Sequence, residues 1–191
     1  MEPTKGLADI LLLGDERLYQ ACSPLGREDT ELITEIISNL HNALMEFREK
    51  YQAGRAIAAS QMGYMKSLIY MNIAGKSTVF INPVVTYKSE EMMELWDDCM
   101  SLPNLLVRLS RHRTIRIRYY DLEWVEHEQE LRDDMAELLQ HEYDHLEGIL
   151  CTMRALDAKA FQWKPTPVPH PVEQMLPQNP GEPEVPGLGV D

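Results

Sequence analysis

Cysteine is scarce in this 191-residue chain: Cys22, Cys99 and Cys151 are an odd number, too few to staple a secreted fold and better suited to a reducing compartment. Basic residues are also short, 18 Lys and Arg against 31 Asp and Glu. The resulting net charge of −13 opposes a phosphate backbone or an anionic membrane, so neither a nucleic acid nor a membrane is expected as a direct partner. No apolar run nears the ~20 residues that cross a bilayer, Ile10 to Leu13 being among the longest. The N-terminal MEPTKGLADI lacks the basic and apolar regions of a secretory signal and the Arg-rich, acid-poor character of a transit peptide. These absences together predict a cytoplasmic protein.

What is present fits a single globular domain. Hydrophobic residues make up 44% of the chain and charged residues 26%, which excludes wholesale disorder and fibrous repeats. The domain is expected to span residues 1–164 and to act as a monomer. From Pro165 to Asp191 the composition changes: eight prolines and four acidic residues occur with no Lys or Arg. Alternating prolines favour extended polyproline II, so 165–191 reads as an exposed, disordered acidic tail, with a proline-recognising module as its conceivable partner.

Asp29 and Thr30 offer N-caps to a stretch whose apolar residues recur every three or four positions from Leu32 to Phe47. The spacing predicts an amphipathic helix of about five turns. Segments 67–73, 78–88 and 114–122 are rich in Val, Ile and Tyr and read as strands. A second helix is expected from about Leu131 to Glu147, with Met135, Leu138, Leu139 and Leu146 as its apolar positions. The order helix, strands, helix predicts an α+β fold, with helices packed on a largely antiparallel sheet and no internal repeat.

The sharpest chemical signal is His141-Glu142-Tyr143-Asp144-His145. Residues four apart on a helix share a face, so the two imidazoles can chelate one metal ion while Glu142, offset by about 100°, addresses a water. A thiolate is the obvious third ligand, and two are available. Cys151 completes H-E-x-x-H-x-x-G-x-x-C, the layout of a metzincin-like zinc peptidase with Cys in place of the third His. Cys99 is remote, between expected strands, in the run Trp96 to Pro103.

Three blocks, in order, resemble the peptide deformylases. Gly54-Arg55-Ala56-Ile57-Ala58-Ala59-Ser60-Gln61 is similar to G-x-G-x-A-A-x-Q, Asp97-Asp98-Cys99-Met100-Ser101 to E-G-C-L-S, and His141 to His145 matches H-E-x-D-H in full. With Gly14 to Leu18 and Ile81-Asn82-Pro83, the resemblance covers about residues 8 to 151. It implies a metal-dependent amidase that hydrolyses an N-formyl amide, on a formyl-methionyl peptide or a specialised small substrate, to formate and free amine. One divalent ion, Fe²⁺ first and Zn²⁺ or Ni²⁺ as alternatives, would be held by Cys99, His141 and His145. Glu142 would shuttle the proton, and Gln61 with the backbone N–H of Met100 would stabilise the formyl oxygen. Asp144 would act structurally, and the acid at Asp97 would pair with a downstream arginine, Arg108 or Arg111.

The departures fall around the substrate. Asp98 and Ala56 stand where the family has glycine. Gly54, Arg55, Ala56, Asp134 and Glu137 are the expected substrate-binding residues, and three of them are charged at positions that are generally apolar in the family. Positions 134, 137, 141 and 145 fall on one helical stripe, which puts both carboxylates on the ligand-bearing face unless the helix is turned to put them in solvent. The rival readings are the metzincin-like peptidase using Cys151 and a non-catalytic binding module derived from a deformylase.

Overall fold

The computed structural model describes residues 4–164, so the acidic tail expected at 165–191 lies outside the described residues. The first helix, α1 (Thr30–Tyr51), follows three short 3-10 turns. Then come β1 (Ala56–Ala58), β2 (Leu68–Ile73), β3 (Lys76–Lys88), β4 (Met92–Cys99), β5 (Leu102–His112), β6 (Thr114–Tyr120) and β7 (Glu126–Arg132). The helix α2 (Asp133–Leu146) and the short β8 (Phe161–Trp163) complete the described chain. Five strands form one antiparallel sheet in the order β1-β2-β3-β6-β7, and three form another in the order β4-β5-β8.

Through β1, β2 and the first half of β3 the larger sheet is covered on both faces, and the two-residue period of the strands sorts the side chains between them. Leu68, Tyr70, Val79 and Ile81 face α1, packing with Ile33, Ile36, Leu40 and Leu44. Their alternates, Ile69 and Phe80, join Ile115, Ile117 and Tyr119 against Ala136 and Leu139 of α2. A third cluster, under the smaller sheet, packs Leu18, Leu102, Val107, Leu109 and Leu150 with Cys99 and Cys151. Helix α2 therefore has the large sheet on one side and, through its contacts with β5, the small sheet on the other.

The α+β architecture matches the expectation, with several boundaries corrected. Strands β1, β4, β5, β7 and β8 had no counterpart among the three expected strands, and Cys99 ends β4 instead of lying in a connection. The second helix begins at Asp133, because residues 126–132 pair with β6 as a strand. Among the described residues, no helix is long and apolar enough to cross a membrane.

Candidate metal centre and substrate cleft

Helix α2 delivers His141 and His145 from successive turns, and the end of β4 brings Cys99 up to them. The His145 Nε2 atom lies 3.2 Å from Cys99 Sγ and 3.2 Å from His141 Nε2. All three side chains are buried. Tetrahedral ligands at metal bond lengths of about 2.0–2.3 Å are separated by about 3.3–3.6 Å, so this triangle has the size of one face of a metal coordination shell. His141 Nδ1 donates to Asp97 Oδ1 at 2.8 Å, which leaves Nε2 as a lone pair directed into the triangle. The sulfur accepts from Ser101 N at 3.4 Å and from Gln61 Nε2 at 3.5 Å, so two donors fix its position at the end of β4.

The electrostatics point the same way. Burial works against charge on His141, yet Asp97 and Cys99 beside it raise its pKa well above the ordinary value. Burial and the neighbouring His141 charge push His145 well below its ordinary value, so it presents a neutral imidazole. The site thus has a strong field for one cation, and a divalent ion competes for it with the His141 proton. His145 Nδ1 and Glu142 Oε2 are buried without a hydrogen-bond partner. The buried Glu142 Oε2 is costly unless a ligand or substrate answers it, and the donor set of one sulfur and two imidazoles fits a borderline divalent metal.

The surrounding charges form a buried chain. Arg111 donates to Asp97 Oδ2 through Nε at 3.2 Å and Nη2 at 2.6 Å, and through Nη1 to Asp144 Oδ2 at 2.9 Å. Arg154 closes the chain on Asp144 from the turn that follows α2. Although burial opposes ionisation, His141 and Arg111 hold the Asp97 carboxyl down at about 2. Neither the Asp97 to His141 contact nor Arg154 was anticipated from sequence.

Glu142 is buried beside the triangle, and burial pushes its carboxyl up to about 7, where it can take and return a proton near neutral pH. Gln61 sits in a 3-10 turn after β1, accepts from Ala58 N through Oε1 at 3.0 Å, and donates to Ser101 Oγ at 3.1 Å. Cys151 is buried in the third cluster, its thiol pushed up to about 12 by burial and by Cys99. It belongs to neither group of residues close enough together to hold a metal ion.

A cleft of about 1330 Å³ opens onto this centre and is lined by Gln61, Cys99, Met100, His141 and Glu142. Gly54, Arg55, Asp134 and Glu137 also line it, but Ala56 does not. Ala56 is buried in β1 against the α2 side of the large sheet, because Arg55 is the last residue before the strand turns its side chains into the core. Gly54 adopts φ +101°, and a Cβ there would stand 3.1 Å from Leu44 and Phe47, so glycine lets the chain leave α1 and bring Arg55 to the cleft.

Comparison with known proteins decides what this assembly belongs to. The family model for polypeptide deformylase matches residues 7–161. The chain belongs to the polypeptide deformylase family. It is 34% identical to the peptide deformylase of Salinibacter ruber, over 75% of this chain and 77% of that protein. It is 36% identical to the peptide deformylase of Rhodopseudomonas palustris strain TIE-1, over 75% of this chain and 83% of that protein. The crystal structure of the Thermotoga maritima peptide deformylase superposes with a TM-score of 0.70 at 26% identity, covering 78% of this chain and 97% of that one. The actinonin-bound enzyme of Acinetobacter baumannii superposes equally well, at 0.70 and 25% identity, covering 78% and 98%. Polypeptide deformylases are metal-dependent hydrolases that remove the N-formyl group from nascent peptides, and this chain is a deformylase of that kind. Neither the metzincin-like reading nor the non-catalytic one is favoured.

Proposed function

We propose that Cys99, His141 and His145 hold one divalent ion, Fe²⁺ first with Zn²⁺ or Ni²⁺ as alternatives, and that Glu142 is the general base of an amidase acting on an N-formyl amide. The observation that carries this reading is the convergence of the three ligand atoms within 4.8 Å of one another, with Cys99, His141 and the partly partnerless Glu142 lining one cleft. An ion bound there supplies Lewis-acid polarisation of the formyl carbonyl and a water of lowered pKa.

The chain's own residues do the rest. Glu142 takes a proton from the attacking water and returns it to the amine nitrogen as the C–N bond breaks, leaving formate and a free amine. Gln61 Nε2 and the Met100 backbone N–H are the donors for charge developing on the formyl oxygen. Gln61 suits this task because its other amide atom is fixed on Ala58 N. Asp97, held by Arg111, keeps the proton of His141 on Nδ1 and so keeps Nε2 available. The partner is an N-formyl peptide or a small N-formyl amine, with Gly54, Arg55, Asp134 and Glu137 against its amine portion.

Formate release from N-formyl peptides by the metal-loaded chain tests the reading, with actinonin, the ligand of the Acinetobacter relative, expected to stop it. Glu142→Gln should retain the ion by elemental analysis and lose at least ~10²-fold in kcat, the scale of a lost general base. Near-normal turnover by that variant would reject the assignment of Glu142.

A further inference from the structure

The acyl group removed by a deformylase has one carbon, so space of side-chain size beside the reacting centre must receive the amine portion of the substrate. In this chain that space carries an ion triad. Glu137 precedes His141 by about one helical turn, and one of its carboxylate oxygens lies within 4.8 Å of ligand-type atoms of Asp97 and His141. Arg55 reaches across from the segment after α1, donating through Nη2 to Glu137 Oε2 at 3.2 Å and through Nη1 to Asp134 Oδ2 at 2.6 Å.

The three residues sit at different depths. The Asp134 side chain is 73% exposed and belongs to the mouth of the cleft, whereas Glu137 keeps only 16% of its side chain exposed. One guanidinium faces two carboxylates, which leaves the triad with one negative charge in excess. Arg55 engages Oε2 of Glu137, so Oε1 remains an acceptor on the cleft wall. Along the whole cleft, eight acidic side chains stand against three from Lys and Arg. A thioether packed here would strip water from Glu137 without offering it a partner, whereas a cationic donor would complete its hydrogen bonding.

We propose that Arg55 and Glu137 make this pocket select N-formyl substrates whose first side chain ends in an ammonium or guanidinium group, in preference to methionine. This rests on the deformylase reading of the same site and specifies the substrate it takes. Glu137 is the selecting group. Arg55 holds its carboxylate in place and limits the pocket to donors that can share it.

The test compares kcat/KM of the metal-loaded full chain for formyl-Lys-Ala-Ser and formyl-Met-Ala-Ser. The lysyl peptide should be favoured at least tenfold, chiefly in KM, and the preference should shrink as salt is raised. Glu137→Gln, which keeps the shape and removes the charge, should bring the ratio near one, and Arg55→Val with Glu137→Ile should reverse it. A wild-type preference for the methionyl peptide that Glu137→Gln leaves unchanged would overturn the proposal. If neither peptide releases formate, the deformylase reading fails by itself. Calorimetric affinities for the product peptides Lys-Ala-Ser and Met-Ala-Ser then test the pocket directly: tighter binding of the lysyl peptide supports the proposal, and equal or reversed affinities overturn it.

Discussion

Asp97 joins the two halves of the site through its two oxygens, Oδ1 to His141 and Oδ2 to Arg111. The sequence alone pairs this acid with Arg108 or Arg111, and strand geometry chooses between them. Positions 108 and 111 of β5 differ by an odd number and point to opposite faces. Arg111 is buried against Asp97, while Arg108 pairs with Glu94 in solvent. The His141 partnership was not legible, because nothing local in the sequence ties residue 97 to residue 141. The cysteines show the same limit: both lie in one core cluster, yet only the Cys99 sulfur accepts two N–H donors. Asp97→Asn keeps the shape but weakens the hold on the His141 tautomer. Metal affinity should fall about 10–100-fold, measured by competition with a chelator. Unchanged affinity would show that Asp97 serves Arg111 alone.

At the scale of elements, legibility followed the burial of each strand. Strands β2 and β3 are covered on both faces and carry the apolar runs that announce them. Strand β7 (E-H-E-Q-E-L-R) has mostly exposed residues, and its determinant is charge complementarity with β6. Arg116 pairs with Glu130 and Arg118 with Glu126 across that edge, a pattern spread over two segments and invisible within either. Strand β4 is similar, with acids at Glu94, Asp97 and Asp98 among its apolar positions. The end of α2 was better signposted. Gly148 adopts φ +71°, and a Cβ there would approach the Tyr19 backbone to 2.6 Å. The same junction is pinned by Cys22 N donating to Leu146 O. Gly148→Ala therefore combines left-handed strain with a clash against backbone that cannot rotate away. It should cost at least ~1–3 kcal/mol of stability, read from urea unfolding.

Across the whole molecule, the candidate ligands come from different layers. Cys99 belongs to the small sheet, and His141 and His145 belong to the helix packed against the large one. The site was legible because its residues cluster in short motifs at 54–61, 97–101 and 141–145. Their meeting depends on the antiparallel register of β4 with β5, which no motif encodes. An ion that ties β4 to α2 binds the folded chain and not the unfolded one, so it must add stability by mass action. At an ion concentration about 100 times Kd the gain is about 2.7 kcal/mol, which corresponds to a Tm shift on the order of 5–10 °C for a domain of this size. Chelation should lower Tm by that amount, and re-adding Fe²⁺, Zn²⁺ or Ni²⁺ should restore it. Cys99→Ser should lose most of the metal-dependent shift, because a ligand is gone. Cys151→Ser should keep the shift while lowering Tm with and without metal, because it alters only a buried core thiol. The opposite pattern, with the shift lost in Cys151→Ser and kept in Cys99→Ser, would move the metal centre to the other cysteine and undo the assignment.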